Sequence, residues 1–138
     1  MKVRFYFFIL TLVLSLSLGY ADKPEIRHIT IEEATAETPR SDTAAIAPLS
    51  NGRLMVVYHK YHRGKEAGRD HGMCTIWSKI SSDKGYTWHT PRKLVDVAEG
   101  DMNVQAPALL RTRDNELFLI ALRAHKGGSS STMCVFVS

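Results

Sequence analysis

Ser81-Ser82-Asp83-Lys84-Gly85-Tyr86-Thr87-Trp88, written SSDKGYTW, is the stretch whose reading decides the fold. A short carboxylate such as Asp83 can accept hydrogen bonds from the backbone amides of its own turn, and so hold a hairpin closed without a ladder partner. Gly85 supplies the positive φ that such a turn needs. The hydroxyls of Ser81 and Thr87 can satisfy further backbone groups, while Trp88 can fold its ring over the hairpin as a large apolar plug. The segment therefore reads as a fold-stabilising device, and Asp83 as a structural carboxylate rather than a catalytic one.

Immediately upstream, MCTIWSKIS sets Cys74, Ile76, Ser78 and Ile80 in alternation with Thr75, Trp77 and Lys79, the period of a β-strand. Downstream, TPRKLVDV reads as another strand. Farther back, TAAIAPLSNGRLMVVYHKY holds two apolar runs around Ser50-Asn51-Gly52, and Asn-Gly between such runs is a strong hairpin signal. The glycine-rich, charged segment HRGKEAGRDHG reads as a loop. Residues 22–42 combine a lead-in strand rich in β-branched residues (Ile26, Ile29, Thr30, Ile31) with a polar loop around Pro39. The best helical candidate, IEEATAE, is too short to stand alone.

A second unit follows the first. QAPALLRTRDNELFLIALRAH lies over TAAIAPLSNGRLMVVYHKY at a spacing of 63 residues, with Asn115 under Gly52, Leu117 under Leu54 and Leu119 under Val56. MCVFVS then fits MCTIWSKIS in either of two registers. Matching Met133-Cys134 to Met73-Cys74 gives a spacing of 60 and puts Ser138 under Ser78, whereas matching the strand ends gives 57 and puts Ser138 under Ser81. Repeats of four short strands are the signature of propeller blades. The expectation is an all-β chain whose residues 43–138 are about the first two blades of a β-propeller. A ring needs at least about four blades, so further blades are expected beyond Ser138, and the isolated segment is expected to be inactive.

The opening residues, MKVRFYFFILTLVLSLSLGYA, have a basic start, an apolar run and small residues at Gly19 and Ala21. That layout predicts a signal peptide, 1–21, cleaved after Ala21. Its apolar run is shorter than the roughly 20 residues that span a bilayer, so stable membrane insertion is not expected. Losing Lys2 and Arg4 leaves 16 basic against 14 acidic residues, and this near balance gives no reason to expect nucleic acid as a partner. A secreted or periplasmic location is oxidising, where Cys74 and Cys134 could pair, yet both lie in strand-like stretches that suit buried thiols equally well. No metal or other cofactor is indicated, since the spacing of histidines and cysteines suits no ligand set.

SSDKGYTW matches the Asp-box, or bacterial neuraminidase repeat, at every defined position, and the run from Arg40 to Val95 resembles the opening blade of the sialidase family. The likeness rests on Arg40 ahead of a strand, the hairpin Gly52-Arg53-Leu54-Met55, the loop from Arg63 to Asp70, and the strand into Ser81 to Trp88. It departs where the family reads Arg-Ile-Pro and this chain has Pro39-Arg40-Ser41-Asp42. The resemblance implies a six-bladed propeller and retaining glycoside hydrolysis, with a tyrosine nucleophile, a glutamate that activates it and an aspartate acid/base. Three arginines clamp the substrate carboxylate, a pairing suited to guanidinium forks.

Carried onto this sequence, the likeness makes Asp70 the candidate acid/base and Arg40 the first clamp arginine, which Asp42 stands to neutralise. Arg63 and Arg69 are further candidates for holding an acidic sugar. His59, His62 and His71 are placed to line a sugar cleft, with Tyr58 and Tyr61 packing or bordering it. The expected function is a secreted or periplasmic exo-α-sialidase-type hydrolase that removes terminal sialic or related acidic sugars from glycans. A non-catalytic Asp-box propeller that binds glycan or protein, or an Asp-box glycan-active enzyme of other specificity, would share these features.

Overall fold

The two apolar runs around Asn51-Gly52 pair as a hairpin, and this construction recurs along the chain. In the computed structural model, which describes residues 25–127 and 130–138, the order is β1 (Arg40–Pro48), β2 (Leu54–Tyr61), β3 (Cys74–Ser81), β4 (Arg92–Val95), β5 (Asp101–Arg111), β6 (Leu117–His125) and β7 (Ser131–Val137). The strands form two antiparallel meanders, β1-β2-β3-β4 and β5-β6-β7. The described residues contain strands and turns and no helix. The signal peptide predicted for 1–21 lies outside them.

The second unit repeats the first in backbone detail. Leu49 donates to the carbonyl of Arg53 (2.7 Å) and Gly52 to that of Leu49 (3.1 Å); 63 residues on, Thr112 donates to Glu116 (2.9 Å) and Asn115 to Thr112 (3.2 Å). Gly52 and Asn115 share a positive φ, +77° and +68°. The first strand of each unit also breaks register at an equivalent place, between Asp42 and Ala45 and between Gln105 and Ala108, where Thr43 (φ +46°) and Ala106 (φ +53°) take the left-handed conformation; β5 shifts once more between Asp101 and Asn103. For the third strand the structure selects the spacing of 57. Leu54 pairs with Ser81, and its equivalent Leu117 exchanges backbone hydrogen bonds with Ser138. Cys134 faces Ala121 where Trp77 faces Tyr58, so the shared Met-Cys dipeptide does not mark equivalent positions.

The expected lead-in strand does not form. Residues 25–39 carry no strand, and β1 begins at Arg40, three residues ahead of the predicted boundary. β-branched residues favour a strand only where a ladder partner exists; β1 pairs with β2 alone, and Ile26 stays 96% exposed. The leader is held by a charge instead. Glu32 accepts from Tyr58 Oη (2.8 Å) and pairs with Lys60 (2.5 Å) and Lys79 (2.9 Å), all on one face of β2 and β3.

The opposite face of that sheet is apolar. Val57 and Ile76 pack on Val104, Leu119 and Ala121 of the second sheet, flanked by Ala45, Met55, Leu94, Val95 and Leu109. Strand β5 lies against β1, β2 and β3. Cys74 is fully buried there, its thiol donating to the Val104 carbonyl at 3.1 Å and pushed up to about 12 by burial. Both cysteines are free thiols.

Beyond β3, Asp83 is encircled by its own turn. Its Oδ1 accepts from Thr87 N (2.8 Å) and Ser81 Oγ (2.8 Å), and its Oδ2 from Thr87 Oγ1 (2.6 Å), while Gly85 N donates to Ser81 Oγ (2.8 Å). The Thr87 and Ser81 bonds hold the carboxyl down from its ordinary 3.8 to about 2. Trp88 folds back until its ring is 3.7 Å from where a Gly85 side chain would begin, and Gly85 has φ +95°. Gly85→Ala therefore meets backbone strain rather than a clash and should cost about 1–2 kcal/mol in denaturant unfolding. Asp83→Ala should lower the thermal midpoint. It should also remove the part of the stability that wild type holds above pH 3.8 and loses as pH falls towards 2.

Candidate functional site

Arg40 opens β1 opposite Tyr61, the last residue of β2, so the guanidinium is laid over the phenol ring at 4.6 Å. From there Arg40 Nη1 reaches Asp70 Oδ1 at 2.7 Å and the Gly68 carbonyl at 3.1 Å, and Nε bonds Asp42. Asp70 first, and then Asp42, push the guanidinium further above its already high value, so it is a permanent cation. Thirty residues of sequence separate Arg40 from Asp70. The fold brings these two predicted site residues into direct contact.

Asp42 is held by a second partner. It stands across the β1-β2 ladder from His59, whose Nε2 bonds its carboxylate. His59 Nδ1 accepts the Ala106 backbone N–H at 3.2 Å, which fixes the tautomer: Nδ1 is the bare nitrogen and Nε2 carries the proton. Burial lowers the affinity of this ring for a second proton, against the pull of Asp42. Protonation at Nδ1 would also set N–H against N–H. His59 is thus a neutral donor that fixes Asp42.

Asp70 is different, because its side chain is 74% exposed where that of Asp42 is 32% exposed. It belongs to the segment between β2 and β3, which folds as consecutive tight turns: Ala67 N to Gly64 O (3.1 Å), Arg69 N to Glu66 O (3.1 Å) and Gly72 N to Arg69 O (2.8 Å). Gly72 is required there, since a Cβ would stand 2.4 Å from the Glu66 carbonyl oxygen. Asp70 borders an open depression of about 300 Å³, lined also by His71, Gln105, Leu122 and Ser131. Tyr61 Oη donates to Gln105 Oε1 at 3.3 Å, and burial pushes its phenol up to about 12, so Tyr61 is a neutral positioning group.

The remaining predicted residues lie elsewhere. Arg63 pairs with Glu37 (3.2 Å) and Arg69 with Glu66 (3.5 Å); both are largely exposed and neither reaches Arg40 or Asp70. His62 bonds Thr75 Oγ1 at 2.7 Å. Ser81, Asp83, Gly85, Thr87 and Trp88 sit at the far end of β3 from the cluster. The described residues include no cluster of three or more His, Cys, Asp or Glu side chains able to hold a metal ion. Sequence reading passed over Gln105 and Asn103, although the 63-residue repeat sets Asn103 under Arg40 and Gln105 under Asp42.

The chain matches no protein-family profile and no curated protein.

The neutral, buried His59 makes the fold sensitive to mild acid. Its folded value lies below the ordinary 6.5, so its contribution is complete above 6.5 and is lost as pH falls, because the unfolded chain binds the proton first. His62 shifts the same way through burial and nearby Lys93. The unfolding midpoint should therefore drop between about pH 7 and about pH 5, and His59→Gln should flatten that slope. A slope unchanged by the substitution would place the titrating group elsewhere.

Proposed function

We propose that this chain forms the first part of a secreted, sialidase-like glycoside hydrolase that removes terminal sialic or related acidic sugars from glycans. The observation that carries the reading is the contact between Arg40 and Asp70 beside an open depression. A cation able to bind a carboxylate thus adjoins an exposed aspartate. Those are the first clamp arginine and the acid/base that the resemblance to the sialidase family implies. On this reading the two sheets are the first blades of a β-propeller, delivered outside the cytoplasm by the predicted signal peptide.

The chemistry follows from the asymmetry of the two aspartates. The carboxylate of the sugar replaces Asp70 on Arg40 Nη1, while Asp42, fixed by His59, stays on Nε. Asp70, released into the depression, takes up a proton from solvent and gives it to the glycosidic oxygen as the tyrosine nucleophile that the resemblance implies bonds the anomeric carbon and the aglycone leaves; it then takes a proton from the water that displaces that tyrosine. Tyr58 and Tyr61 are not the nucleophile. One donates to Glu32 and the other to Gln105, and burial raises both phenols.

One observation favours a second reading. Arg40 already holds two carboxylates, which suits a rigid, non-catalytic loop platform that binds glycan or protein. Hydrolysis of a fluorogenic sialoside by the full-length protein separates the two. Wild type should turn over, and Asp70→Ala should lose about 10² to 10⁴ in kcat, the usual contribution of a general acid/base. Equal activity in the variant would remove Asp70 from the mechanism, and an inert wild type would favour the binding platform.

A further inference from the structure

Asn103 lies on β5 and is fully buried, yet it faces the candidate site rather than the apolar seam alone. Its Nδ2 donates to two carbonyls of the neighbouring unit, those of Asp70 (3.1 Å) and Gly72 (3.1 Å). Its Oδ1 has no partner among the described residues. The amide cannot be turned over, because that would set its oxygen against two carbonyl oxygens. A buried amide with an orphan oxygen is a poor packing choice, for an apolar side chain of the same size would leave no such atom. What asparagine supplies is a pair of donors to two carbonyls near the β3 end of the loop, 33 and 31 residues away along the chain.

The repeat gives this position its meaning. Asn103 is the equivalent of Arg40: each stands three residues before the left-handed residue of its unit, Ala106 or Thr43. Both side chains converge on one segment. Arg40 grips it at the Gly68 carbonyl and the Asp70 carboxylate, and Asn103 at the Asp70 and Gly72 carbonyls. The segment's other backbone bonds are local turns within itself, so Arg40 and Asn103 are the side chains that tie it to the strands.

We propose that Asn103 is a positioning residue: from the second unit it bridges the carbonyls of Asp70 and Gly72 and so sets where the Asp70 carboxylate stands. The catalytic consequence rests on the reading of Asp70 as acid/base, whereas the mechanical one does not. Without the bridge the turn at residues 69–72 opens and Asp70 samples positions away from the depression.

The test uses full-length protein, with Asn103→Leu and the isosteric Asn103→Asp beside wild type and Asp70→Asn. Hydrogen exchange of the backbone amides of residues 66–73 is read together with kcat and KM on a fluorogenic sialoside. Exchange across 69–72 should quicken by about tenfold or more in Asn103→Leu, while β2 and β3 keep wild-type protection. kcat should fall by roughly ten- to a hundredfold with little change in KM, as displaced catalytic groups do. Asn103→Asp should recover part of kcat relative to wild type at low pH, where a protonated carboxyl regains one donor; Asn103→Leu should not. It also serves if the leucine variant fails to fold. Wild-type exchange at 69–72 in a folded variant would overturn the proposal. Quickened exchange with an inert wild type, or with full activity in Asp70→Asn, would uphold the bridge and refute the catalytic reading instead.

Discussion

The apolar seam between the two sheets is the contact on which the rest of the molecule depends. Each sheet is hydrophobic on one face and must bury it against another layer. Here Val57 and Ile76 do so against Val104, Leu119 and Ala121. That packing drives β5 across β1, β2 and β3. As a result, the Ala106 amide reaches His59, Gln105 reaches Tyr61, and Asn103 reaches the loop after β2. The first sheet and its loop carry the charged cluster, and the second supplies the groups that orient it. Loosening the seam would separate Asp42, Arg40 and Asp70 from the groups that orient them before it unfolded either hairpin.

Within the cluster, one cation sits between two carboxylates that are held very differently. Asp42 is locked by a neutral histidine whose own tautomer is set by a backbone amide, so its bond to Arg40 rests on two successive fixed partners. Asp70 has the same cation but an exposed side chain. A competing anion would therefore displace Asp70 and leave Asp42 in place. Arginine suits this role better than lysine, because its planar fork serves Asp42 through Nε and Asp70 and Gly68 through Nη1 while stacking on Tyr61. A point charge could not hold these partners in fixed directions.

The sequence disclosed those features whose cause is local. The turn at Asp83 and the hairpin at Gly52 are written in a few contiguous residues, and their hydrogen bonds fall where those residues require. The leader forms no strand despite its β-branched content, because that content does not supply a ladder partner. The choice between spacings of 57 and 60 could not be made on Met133-Cys134, since a dipeptide identity carries less information than a strand end paired through Leu117 and Ser138. Asp70 and Arg40 were legible only through resemblance to a family pattern. Asn103 and Gln105 act across the seam, and no local pattern marks a contact made through tertiary packing; the repeat alone, followed position by position, leads to them.

The repeat also explains how a stabilising motif and a candidate reactive cluster share one strand without interfering. β3 runs from Cys74, beside the cluster, to Ser81, which anchors the Asp83 turn. Seven steps at about 3.3 Å each put the two ends roughly 23 Å apart. Screening and the intervening ladder leave the Asp83 charge little influence at that range. The two units keep the same hairpin turn and the same left-handed residue in their first strands, yet the first carries Arg40, Asp42 and His59 where the second carries Asn103, Gln105 and Leu122. The backbone constraint is thus common to both units, whereas at these three positions the charge belongs to the first. The buried charge of the second unit is placed elsewhere and is paired within that unit, Asp101 with Arg123 (2.6 Å) and His125 (2.7 Å), so none of it competes for Arg40.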